Sequence, residues 1–126
     1  MSRAYRMVSL LDVNAPLPES DWGFWQDVLH RCVDSPDEVL DEDDPYSQPD
    51  LVDGYVHSDG WTRFHFEQEM NLCNGYSEDE YASDFRKAIR LLTKDAPHDF
   101  KVALSLYYLE HDPDLHISFD RKELAA

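Results

Sequence analysis

The most constraining stretch of this chain is Ser77-Glu78-Asp79-Glu80, because it states where a helix begins. Ser77 and Glu80 have the spacing of a capping box, and Tyr76 just before the cap can staple onto Tyr81. Tyr81, Phe85, Ala88, Ile89 and Leu92 then recur at steps of three and four, and Ala96-Pro97 ends the run. A helix this well marked needs an apolar surface to lie on.

The surrounding residues supply that surface. Tyr5 to Val13 alternates, with Tyr5, Met7 and Ser9 on one side and Arg6, Val8 and Leu10 on the other, and reads as an opening strand. Asn14 to Pro18 breaks it. A first helix follows, with Ser20 as its expected cap and Trp22, Trp25, Val28, Leu29, Cys32 and Val33 as its apolar stripe. The stretch 34–50, with Pro36, Pro45 and Pro49, has neither period and reads as a loop.

Leu51 to Met70 reads as a hairpin turning at Asp59-Gly60, the pair that supplies positive φ angles to a two-residue loop. That register sets Tyr55 opposite Phe64. It puts Thr62, Phe64 and Phe66 on one face, with Arg63, His65 and Glu67 on the other, toward solvent. After the second helix, Phe100 to Glu110 and Leu115 to Phe119 alternate as two more strands. The order β-α-β-β-α-β-β predicts a single α+β domain over residues 1–126. Its expected form is ferredoxin-like, with two helices on one face of a mainly antiparallel sheet and one added strand.

Charge is the second constraint. The chain has 27 Asp and Glu against 11 Lys and Arg, a formal net charge of -16. Asp34 to Phe85 holds sixteen of those acids and one base, Arg63, so nearly all the imbalance lies in 52 of 126 residues. Such a chain does not grip nucleic-acid phosphates or an anionic bilayer, which need a cationic surface. Disorder is excluded by 6 Phe, 3 Trp and 7 Tyr. Two cysteines, Cys32 and Cys73, without CxxC spacing read as buried thiols. The apolar run Met7 to Leu11 is too short for a signal-peptide core or a span, so a cytoplasmic setting is expected, the host cytoplasm for a phage-encoded chain.

Chemistry-bearing motifs are sparse. Asp41, Asp43 and Pro45 start like a calcium loop, but Tyr46 stands where glycine must turn the chain. His111, Asp112, Asp114 and His116 offer ligands that zinc or manganese use, although turn chemistry alone explains Asp112-Pro113. No Gly-x-Ser-x-Gly elbow, Gly-rich phosphate loop or activated cysteine is present, so neither enzyme activity nor a cofactor is expected. His57 reads as a core histidine. Arg86, Arg90 and Lys94, with Lys87, form the one basic stripe, which the helix dipole explains and which also suits an acidic surface such as a second copy of the chain.

The acidic block exceeds what solubility requires, since a net charge of magnitude about 2 to 8 suffices for a small domain. Asp37, Glu38, Asp41, Glu42, Asp43, Asp44, Tyr46, Asp50 and Asp53, joined by His65 and Glu67, are therefore the candidate contacts for a basic protein or nucleoprotein complex. The expected function is inhibition by occupying a cationic surface, in the manner of DNA-mimic phage inhibitors of CRISPR or restriction complexes. An immunity protein against a cationic nuclease toxin has the same physics. A metal-binding protein or enzyme built on the turn from His111 to His116 is the third alternative.

Overall fold

The computed structural model describes residues 3–41, 51–72, 76–108 and 113–125. Five strands form one antiparallel sheet: β1 (Arg3–Val13), β2 (Asp53–Val56), β3 (Thr62–Leu72), β4 (Phe100–Tyr107) and β5 (Leu115–Asp120). Their order across the sheet is β2-β3-β1-β4-β5, with β1 at the centre. The helices are α1 (Trp22–Asp34), α2 (Pro36–Asp41), α3 (Glu78–Leu92) and α4 (Arg121–Ala125), and a 3-10 turn at Glu19–Asp21 leads into α1.

Alternation decides which side of the sheet is covered. Met7 and Leu11 of β1, Phe64 and Phe66 of β3, and Val102, Leu104 and Leu106 of β4 are all buried on one face. Helix α1 closes over it, with Trp25 against Phe100 and His30 edge-on to Phe66, and α3 does the same through Phe85 and Phe119. Arg6, Val8, Leu10 and Asp12 of β1 point the other way, onto a face that neither long helix covers.

Ser77 caps α3 as its sequence dictates. Ser77 Oγ accepts from the Glu80 N–H at 3.1 Å, and the Tyr76 and Tyr81 rings meet edge to face at 6.2 Å.

Other expectations are corrected. Among the described residues four helices are present where two were expected. Residues 36–41 of the supposed loop form α2, because Pro36 suits the first helical position and Asp37 and Glu38 favour a helix start. Ser20 does not cap α1, since it lies inside the 3-10 turn, and Asp21 precedes the helix without a side-chain cap. Strand β4 ends at Tyr107, and Leu109 and Glu110 of the expected strand lie outside the described residues.

The hairpin register also shifts by one residue: Tyr55 faces Arg63, and Gly54 faces Phe64. The loop has three residues, because His57 N–H bonds Trp61 C=O and Gly60 N–H bonds His57 C=O. Such a loop needs a left-handed residue after its turn, and Gly60 supplies it at φ +90. His57 consequently leaves the core. It is half-buried, stacks on Trp61 at 4.4 Å, and its Nδ1 accepts from the Asp59 N–H. A Cβ on Gly60 would meet no neighbouring atom, so Gly60→Ala isolates the backbone cost. We expect about 1 kcal/mol of destabilisation, read as a lower urea midpoint at unchanged slope.

Candidate partner-binding surface

The candidate contact residues divide between the two sides of the molecule. Asp37, Glu38 and Asp41 are exposed on α2, which packs against α3 in the helix layer. Asp53, His65 and Glu67 lie on the opposite, uncovered side of the sheet, where Asp53 pairs with His65 across β2 and β3. Glu42, Asp43, Asp44, Tyr46 and Asp50 fall outside the described residues. The acidic block of the sequence is therefore two surfaces, and they have different characters.

The helix-layer surface is predominantly acidic. The end of α1 contributes Asp34, α2 contributes Asp37, Glu38 and Asp41, and the first half of α3 contributes Glu78, Asp79, Glu80 and Asp84. These eight acids come from three helices in mutual contact, and the base beside them is Arg31, one turn before Asp34, whose largely buried side chain lies 3.6 Å from Asp27. Tyr76 lies within the group and donates its hydroxyl to Asp84 at 2.9 Å. Burial pushes its phenol well above the ordinary range, and the Asp84 hydrogen bond and the fields of Asp84, Asp37 and Glu80 add to that. A neutral Tyr76 is thus a fixed donor among carboxylates.

The sheet surface mixes both signs. Asp12 stands between Arg63 and Lys101, and Lys101 between Asp12 and Asp120. Arg63 grips Asp12 with two bonds, Nε to Oδ1 at 2.7 Å and a terminal nitrogen to Oδ2 at 2.9 Å. Farther along, Arg6 contacts Glu67 at 3.3 Å and lies over the Tyr107 ring. His65, half-buried, has Leu10 as its β1 neighbour.

At the end of this face, a hollow of about 500 Å³ is lined by Asp12, Asn14, Trp61, Asp99, Lys101 and Arg121, among others. Arg121 donates to the His98 C=O and sits 3.8 Å from Asp99. Lys101, Arg121 and Lys122 at this hollow are matched in number by Asp12, Asp99 and Asp120. The strand alternation hinted at Asp12 and Arg63, but only the register brings Lys101 and Asp120 beside them.

The remaining sequence candidates do not assemble into chemistry. Among the described residues no group of three or more His, Cys, Asp or Glu is placed to hold a metal ion. His111 and Asp112 lie outside those residues, and His116 is exposed with its Nδ1 2.7 Å from Ser105 Oγ. Cys32 is fully buried, and burial drives its thiol well above the range of a nucleophile, while Cys73 lies outside the described residues. No helix among the described residues is long and apolar enough to cross a membrane.

Comparison with family models, curated proteins and solved structures returns no match for the chain.

Proposed function

We propose that the protein works by binding: its acidic helix surface occupies the cationic site of a basic, nucleic-acid-binding partner and blocks it. The observation that carries this reading is the convergence of Asp34, Asp37, Glu38, Asp41, Glu78, Asp79, Glu80 and Asp84 from three helices onto one predominantly acidic end of the helix layer. Like charges held this close oppose folding, and a cationic partner relieves that repulsion. Helices fix the carboxylates in space, and a rigid array of anions is what a phosphate-binding channel recognises. The sheet side, which mixes both signs and carries Asp53, His65 and Glu67, lies outside this contact. We also read the sheet as ferredoxin-like with β5 added outside β4. This is supported by α1 and α3, each of which links two strands with one other strand between them.

The test is capture from a cell lysate followed by binding kinetics on the purified partner. The partner is expected to be basic, to lose affinity steeply as salt rises, and to be displaced by double-stranded DNA. Reversing Asp37, Glu38 and Asp41 to Lys should slow association by about tenfold or more. A partner that is not cationic, or association unchanged by the triple reversal, sinks the reading. The identity of the captured protein separates a CRISPR or restriction complex from a nuclease toxin.

A further inference from the structure

The other end of the helix layer has the opposite character. Between the 3-10 turn, the start of α1 and the end of α3 runs a groove of about 690 Å³, with Leu17, Phe24, Trp25, Leu91 and Leu92 in its lining. Phe24 is 46% exposed and Leu91 52%. A single exposed apolar side chain is ordinary, but two large ones on one groove, here among the polar groups of Ser20, Asp21, Lys94, Asp95 and His98, form a patch of the kind that marks an interaction site. The edge of this groove is cationic on the α3 side. Lys87, Arg90 and Lys94 are all exposed near Leu91, and α3 has no acid after Asp84. Arg86 is already engaged, donating to the Glu123 C=O at 2.9 Å and lying over Phe119. Of the charged residues in the lining itself, Lys94 is basic and Asp21 and Asp95 are acidic, so the positive character comes from Lys87, Arg90 and Lys94, along and just after α3 beside the groove.

The matching surface is on the same chain. Helix α2 exposes Leu40, at 37%, among Asp37, Glu38 and Asp41. An apolar knob ringed by carboxylates is the counterpart of the exposed Phe24 and Leu91 with the ammonium and guanidinium groups of Lys87, Arg90 and Lys94 beside them. The two patches lie toward opposite ends of α3, whose 15 residues span about 22 Å. Two copies facing each other through their helix layers, turned by a two-fold axis, bring acidic end onto basic end twice.

We propose that the protein forms a two-fold dimer in which Leu40 and its flanking acids on α2 of one copy seat in the Phe24–Leu91 groove of the other. The dimer stands or falls independently of the basic partner proposed above. Because both would use α2, they compete, and the dimer keeps the acidic surface covered until a stronger cationic site displaces it. Net charge of -16 on each copy opposes association at very low salt. At physiological ionic strength the Debye length is about 8 Å, which screens that long-range repulsion more than it weakens pairs in contact.

Sedimentation velocity on the full chain at physiological salt, over a concentration series, tests this. The unaltered chain should shift from monomer to dimer as concentration rises. Arg90→Glu with Lys94→Glu should abolish the dimer, and so should Asp37→Lys with Asp41→Lys. All four changes in one chain should restore it, since each reversed patch then meets a reversed partner. Leu91→Ser, at an exposed position, should also abolish the dimer without lowering the melting temperature. A chain that stays monomeric at every concentration overturns the proposal. So does a dimer that survives either double reversal, or a four-residue swap that folds by circular dichroism yet remains monomeric.

Discussion

Thr62→Val is expected to cost about 3 kcal/mol of stability, out of proportion to the loss of one hydroxyl. Thr62 opens β3 and is fully buried. Its Oγ1 donates to the Ala15 C=O at 2.7 Å and accepts from the Leu17 N–H at 2.8 Å. Both partners belong to the connection between β1 and the 3-10 turn, so one side chain ties that connection to the sheet. Leu17 is itself buried, and its C=O takes the indole N–H of Trp22 at 3.0 Å.

Valine matches threonine in shape and strand preference but leaves a buried N–H and a C=O unpaired. An orphaned group of that kind costs about 1 to 3 kcal/mol. For a chain of this length the melting temperature should fall by roughly 10 °C. Thr62→Ser keeps the hydroxyl and should lose only about 1 kcal/mol, for the missing methyl. Thermal and urea denaturation of both variants check this, and a valine variant no less stable than the serine one would show that the two bonds contribute little.

The same residue shows where sequence reading works and where it stops. Thr62, Phe64 and Phe66 were legible as one buried face because alternation is local, and the α3 cap and stripe were legible because every residue in them lies within one element. The bonds from Thr62 to Ala15 and Leu17 were not, since the connection they hold has no periodic pattern. The hairpin register was off by one because Asp59-Gly60 announces a turn without fixing whether the loop holds two residues or three. Helix α2 hid among prolines, although Pro36 followed by Asp37 and Glu38 is itself a helix-start signal.

For the site, the identity of the acidic residues was plain and their grouping was not. Asp37 and Asp53 are sixteen positions apart in one acidic block, yet the fold assigns them to opposite sides of the sheet. That assignment depends on strand pairing over long sequence separations, which charge counting along the chain does not register.

The fold also predicts a sharp alkaline limit. Cys32, fully buried on α1, and Tyr81, 1% exposed on α3, both hold their protons far above the usual pH. Burial is the main cause for each. For Tyr81 the fields of Tyr76, Cys32 and Asp34 add to it, and for Cys32 the field of Arg31 opposes it. In the unfolded chain a thiol ionises near pH 8.5 and a phenol near pH 10. Above those values the unfolded state binds fewer protons than the folded one, so stability falls as pH rises. It is fully present below about pH 8.5 and declines by about 1.4 kcal/mol per pH unit for each group once the free group is ionised.

With both groups linked the slope approaches about 3 kcal/mol per pH unit above roughly pH 10, enough to exhaust an ordinary domain stability of about 5 to 15 kcal/mol within a few units. Tyr76, half-buried, acts in the same direction. The expected result is cooperative unfolding in alkali, followed by the fluorescence of buried Trp25. Tyr81→Phe isolates one proton. It loses the hydrogen bond that Tyr81 donates to the Val33 C=O at 2.5 Å, so at pH 7 it should be about 1 kcal/mol less stable. It also loses one linked proton, so its stability should fall less steeply in alkali and cross that of the unaltered protein near pH 11, about one unit above the free phenol. Two curves that stay parallel and never cross would mean that Tyr81 ionises in the folded protein as readily as in the unfolded chain.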